Sequence, residues 1–78
     1  MYKLYRVQSF NSGVWSIGMI PYVGEIEDTH DIDRAKALIE IAKFAYGISN
    51  IHEELKPTEW RIISLELPEW KPEYHCKA

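Results

Sequence analysis

Between Asp31 and Gly47 the chain keeps apolar residues at helical spacing, and no other stretch does so for as long. At about 100° per residue, Ile32, Ala35, Leu38, Ile39, Ala42, Ala45 and Tyr46 fall on one arc, the pattern of a core-facing stripe. Lys36, Glu40 and Lys43 form a polar stripe, with Glu40 within i±3/i±4 reach of both lysines. Ala37, Ile41 and Phe44 fall outside the core arc, so the apolar surface is wider than one sheet-facing side requires. Thr29 or Asp31 supplies the N-cap oxygen, acidic residues at 28, 31 and 33 suit the positive end of the helix dipole, and Gly47 is expected to end the helix. A single helix of this length covers one face of a small sheet and leaves the other to be explained.

The rest of the chain reads as strands. Residues 2–10 (YKLYRVQSF) are rich in aromatic and β-branched types. Asn11-Ser12-Gly13 follows as a three-residue turn whose Asn and Gly tolerate positive φ. Residues 14–20 (VWSIGMI) return as a second strand that Pro21 ends, with Trp15, Ile17 and Met19 on one face. Residues 21–30 form an acidic connection. Residues 48–56 suggest a short helical turn with Asn50 as cap and Glu53 at capping-box spacing, and Pro57 stops it. Residues 59–67 (EWRIISLEL) alternate as a third strand, with Arg61, Ile63, Leu65 and Leu67 on one face and Trp60, Ile62, Ser64 and Glu66 on the other. If this strand pairs beside the first, every neighbour is antiparallel. The expected fold is α+β: a two-layer β-β-α-β domain with a three-stranded antiparallel sheet in the order 2-1-3 and one main helix on one face.

Seventy-eight residues make one domain, 1–78, because two would leave neither half enough chain for a core. Residues 70–78 are expected as an extended, frayed tail, since Pro68 and Pro72 disfavour helix. With 46% hydrophobic and 13% aromatic residues the composition is globular. Cys76 is the sole cysteine, which excludes an internal disulfide and fits a reducing compartment. MYKLYRV lacks the apolar region of a signal peptide and no apolar run approaches the roughly 20 residues of a membrane span. The expected location is cytoplasmic, or a host cytoplasm if the chain is phage-encoded. Twelve acidic against nine basic residues, net charge -3, disfavour binding to nucleic acid by phosphate neutralisation.

Chemistry-bearing motifs are sparse. Glu25, Glu27, Asp28, Asp31 and Asp33 invite a divalent cation, but they lack EF-hand spacing and its central glycine. The simpler reading is a solvated loop and helix cap, and another is an acidic patch for a basic partner. His30, His52, His75 and Cys76 have no metal-ligand spacing. The serines occupy no nucleophile elbow, the glycines form no phosphate loop, and adjacent Glu53 and Glu54 diverge by about 100° on a helix. No enzyme activity, cofactor or metal is expected.

The aromatics carry the strongest signal. Tyr, Trp and Phe bury large areas at low entropy cost and suit interfaces. Trp15 and Tyr46 are expected to fill the core. Tyr2, Trp60, Trp70 and Tyr74 are harder to absorb and, with Ala37, Ile41, Phe44, Glu25, Glu27 and Asp28, form the expected partner-binding set. For Trp70 the favoured arrangement has the tail folded back over the open sheet face; the other has both Trp60 and Trp70 in a partner's site. An acidic chain with a hairpin, one helix and a final strand resembles small phage-encoded proteins, including anti-CRISPR and other anti-defence inhibitors. That resemblance is architectural and carries no residue assignments. The absence of catalytic sets, the over-wide apolar helix face and the surplus aromatics point to a non-catalytic protein-binding module, as a homodimer or in complex with a larger protein; the resemblance implies that it inhibits a host defence or nucleic-acid-processing system by occlusion. The alternative is single-stranded nucleic-acid binding through an aromatic sheet face.

Overall fold

The first strand sits in the middle of the sheet, as the order 2-1-3 requires. The computed structural model describes residues 2–67 and has strands β1 (Tyr2–Asn11), β2 (Val14–Ile17), β3 (Met19–Ile20) and β4 (Gly24–Glu25), helix α1 (Ile32–Ile48), a single 3-10 turn (Glu53–Leu55) and strand β5 (Glu59–Leu67). The main sheet is antiparallel, in the order β2-β1-β5. Its long pairing runs from Tyr2↔Leu67 to Phe10↔Glu59 without a bulge.

The hairpin turn is tighter than expected. Asn11 pairs with Val14 inside the ladder, leaving Ser12 and Gly13 as a two-residue turn with φ of 54° and 80°. Two successive positive φ values match the right-handed twist of the flanking strands, and glycine carries the second at no steric cost. The freed Asn11 side chain donates through Nδ2 to the carbonyls of Glu54 and Lys56, at 3.3 and 2.9 Å. With Thr58 N–H donating to Phe10 O at 2.9 Å, these bonds deliver the chain to β1's other edge, where β5 begins.

Residues 14–20 do not form one strand. The pairing with β1 stops at Gln8↔Ile17, and Gly18 turns the chain out of the sheet. A Cβ at position 18 would lie 2.8 Å from Val7 Cγ1 and 3.0 Å from Trp60 Cζ3, so only glycine fits this approach. Gly18 N–H still donates to Val7 O, and Gly18 O accepts from Ile26 N–H. Beyond it, β3, from the end of the expected second strand, pairs with β4, where the sequence suggested only a connection, as a small second ribbon. The chain then rejoins the sheet, because Tyr5 and Thr29 exchange both backbone hydrogen bonds, at 2.7 and 3.0 Å.

Asp31 caps α1, its Oδ1 accepting from the backbone N–H of Asp33 and Arg34. Thr29 is committed to the bridge with Tyr5, and its Oγ1 accepts from Asp31 N–H. Gly47 does not end the helix. Ser49 does, with its N–H and Oγ both donating to Tyr46 O. The turn near residue 50 starts later than expected, with His52 rather than Asn50 preceding it.

The main core lies between α1 and one sheet face, while Leu4, 4% exposed, is buried on the other. Val7, Ile26, Ala35, Ile39 and Ala42 are buried together, with Tyr5, Ile20, Leu38, Trp60 and Ile62 packed against them. The ladder register places Trp60, Ile62, Ser64 and Glu66 on this face, and Arg61, Ile63 and Leu65 on the open one with Leu4, Arg6, Gln8, Phe10, Trp15 and Ile17. Trp15 is therefore not a core residue.

Candidate functional site

The largest exposed apolar side chains of α1 lie on one line. Ala37, Ile41, Phe44 and Ile48 follow each other at spacings of four, three and four, which keeps them on one side of a helix. That side is opposite Ala35, Ile39 and Ala42, which meet the sheet. Ile41, Phe44 and Ile48 are 53%, 69% and 71% exposed, whereas Ala35 and Ala42 are fully buried. The helix that presents this line is capped at its start by Asp31. Glu40 and Lys43, 3.7 Å apart, run beside the stripe as an exposed ion pair and add little to stability.

The open face of the sheet carries a different grouping. Phe10 and Trp15 are cross-strand partners, with ring centroids 5.1 Å apart at 53°. The Arg61 guanidinium lies 4.0 Å from the Trp15 ring centroid, and its Nε donates to Gln8 Oε1 at 2.8 Å. Further along the face the Tyr5–Thr29 bridge sets Arg6 beside Asp28. The two side chains meet in a bidentate pair, with bonds of 3.0 and 2.8 Å. These hydrogen bonds raise the Arg6 pKa, against a smaller opposing effect of burial.

The expected partner-binding residues divide among these surfaces. Ala37, Ile41 and Phe44 come together on α1, and Ile48 extends their line. The sequence reading missed Ile48 because it ended the helix at Gly47. Trp60 lies on the helix-facing side of the sheet, half-buried and 6.2 Å from the Tyr46 ring at 54°. Burial there raises the Tyr46 phenol pKa. Glu25 and Glu27 are exposed on β4 and the segment after it, and Asp28 is committed to Arg6. Among the described residues no three His, Cys, Asp or Glu side chains gather to hold a metal. Tyr2 lies at the start of β1. Trp70, Tyr74, His75 and Cys76, with the proposed fold-back of the tail, lie outside the described residues.

Two further features escaped the sequence reading. Phe10, Trp15 and Arg61 share a face because of strand register, and only Trp15 had been singled out, as core. Tyr22 and Val23, the most exposed large apolar residues among those described, form the tip of the β3–β4 turn, where Tyr22 holds a φ of 68°. No described helix is long and apolar enough to cross a membrane. The chain matches no protein-family model, no curated protein and no solved structure.

Proposed function

We propose that this chain is a non-catalytic protein-binding module that docks through the outward stripe of α1: Ala37, Ile41, Phe44 and Ile48. One observation carries the reading: three large apolar side chains stand in solvent on the side of α1 opposite the core. Amphipathic helices recognise grooves through anchors at this i, i+4, i+7 spacing. The occupied surface is blocked by occlusion, as the resemblance to small anti-defence inhibitors implies, and no bond is made or broken. The test is affinity capture from native cells with the wild type and with Phe44→Ser, matched for melting temperature. A stoichiometric partner retained by the wild type and lost by the variant supports the reading. Identical capture by both, or capture of nothing, overturns it.

A second reading has one observation in its favour. Phe10, Trp15 and Arg61 assemble on the open sheet face, the arrangement that stacks unpaired bases. Against it stand the net charge of -3 and the pairing of Arg6 with Asp28. Fluorescence titration with a single-stranded oligonucleotide at low salt decides: quenching that disappears in Trp15→Phe supports this reading, and unchanged emission removes it.

A further inference from the structure

The two edges of the main sheet are finished differently. On one side β2 is short, Gly18 turns the chain away, and Thr29 closes the edge of β1 at Tyr5. On the other side β5 runs for nine residues with no proline or bulge; of the charges that can guard an edge strand it carries Glu59 at its start, Arg61, which is bonded to Gln8, and Glu66, which is paired with Lys3. Backbone direction along β5 follows from bonds elsewhere in the sheet. Tyr5 exchanges its N–H and C=O bonds with Thr29, and Val7 O accepts from Gly18, so the odd residues of β1 point toward the β2 side. The even residues of β1 therefore point at β5, where they pair with Glu59, Arg61, Ile63 and Leu65. By alternation, the backbone N–H and C=O groups of Trp60, Ile62, Ser64 and Glu66 point outward. Among the described residues, no strand pairs with this edge.

We propose that the outer edge of β5 is the pairing site for β5 of a second copy of this chain, forming a continuous six-stranded antiparallel sheet. The parity just derived restricts the geometry. Even residues must exchange hydrogen bonds with even residues, so the two-fold axis runs perpendicular to the sheet and both α1 helices lie on the same side. Full overlap of the nine residues puts the axis at Ile63. Ile63 then faces Ile63 of the second copy, Arg61 faces Leu65, Ile62 faces Ser64 and Trp60 faces Glu66. No like charges meet directly, and Ile63 and Leu65 of both copies join into one apolar strip on the open face. A second copy suits this edge better than residues 68–78 of the same chain. Pro68 and Pro72 lack N–H donors and limit residues 68–78 to pairing through odd positions, whereas β5 has an N–H at every one of its nine positions. The inference is independent of how α1 is used.

The experiment is analytical ultracentrifugation of the full chain from about 5 to about 500 μM, beside a disulfide trap. Ile63→Cys in a Cys76→Ser background tests the axis, because directly opposed non-hydrogen-bonded residues have Cα atoms about 4.5 Å apart, within disulfide reach. The expected results are a concentration-dependent dimer and efficient cross-linking at position 63, with little at a Ser16→Cys control on β2. Ser64→Pro removes an outward N–H and is expected to weaken dimerisation about ten-fold or more, with helix content retained. If that variant fails to fold, Ser64→Lys, which places an edge-guarding charge at the same position, is read instead. A monomer at every concentration overturns the proposal, as does a dimer insensitive to both position-64 variants. So does a dimer that Phe44→Ser abolishes while position 63 does not cross-link. That last result would assign self-association to α1 and leave the protein-binding reading standing.

Discussion

The side of α1 that meets the sheet is built from Ala35, Leu38, Ile39, Ala42 and Tyr46, and the side that meets solvent from Ala37, Ile41, Phe44 and Ile48. A helix selected only for burial would hold its bulk on the inner side alone, where Leu38, Ile39 and Tyr46 lie. Here the space between helix and sheet is filled mainly from the sheet and its connections, by Val7, Tyr5, Trp60, Ile62 and Ile26. The small alanines let the α1 backbone approach them. The bulky outer residues contribute almost nothing to this packing, and their exposure forgoes roughly 25 cal/mol for each Å² of apolar surface left in water. The contrast separates two sides of one helix: the inner side answers to the fold, and the outer side is the surface we propose for a partner.

The largest blow to the inner side is Ile39→Ala. It should cost about 2–5 kcal/mol, the range for deleting a buried aliphatic side chain, seen as a fall in melting temperature of about 4–8 °C per kcal/mol. A loss below about 1 kcal/mol would break the comparison, because the inner side would then not be core. Gly18→Ala attacks the sheet residues beneath the helix. Its Cβ would sit 2.8 Å from Val7 Cγ1, and overpacking of this kind costs about 1–3 kcal/mol. Denaturant unfolding measures it, and unchanged stability would show that Val7 and Trp60 have room to move.

Tyr46, at the margin of the inner side, sharpens the boundary by pH. Burial holds its phenol pKa above the ordinary 10.0, so the fold favours the protonated form. That stabilisation is complete below the unfolded value and is lost as pH rises through the folded one. Urea midpoints should therefore decline above about pH 10, and decline less in Tyr46→Phe. Partial exposure keeps the effect small. The smallest stability change is expected on the outer side, where Phe44→Ser should stay within about 0.5 kcal/mol of the wild type while abolishing partner capture. A loss as large as that of Ile39→Ala would erase the distinction between the two sides.

Much of this architecture was legible from periodicity. Residues 59–67 alternate with period two, residues 32–46 repeat near 3.6, and the turn signal Asn11-Ser12-Gly13 joins two β-rich runs. Together these require three antiparallel strands and one helix in the order found. Ala37, Ile41 and Phe44 were also legible as a candidate surface, because a helical projection separates them from the core arc without knowledge of the partner layer. Ile48 was lost with the helix end: Gly47 reads as a stop, yet the bonds from Ser49 to the Tyr46 carbonyl carry the helix one residue past it. The break at Gly18 was not legible, since it depends on the approach of Val7 and Trp60, residues distant in sequence.

By itself, then, the sequence determined which residues alternate, which repeat at helical spacing, and that Asp31 could cap the helix, and hence the two-layer order of elements. These are local matters of backbone preference and side-chain period. Only the tertiary structure decided which face of each strand meets the helix. Alternation defines two sets of residues but does not say which is inside. That choice sent Trp60 toward the core and Trp15 to the open face, the reverse of what aromatic bulk suggested, because α1 can cover one face and the common register of β1, β2 and β5 turns all three strands together.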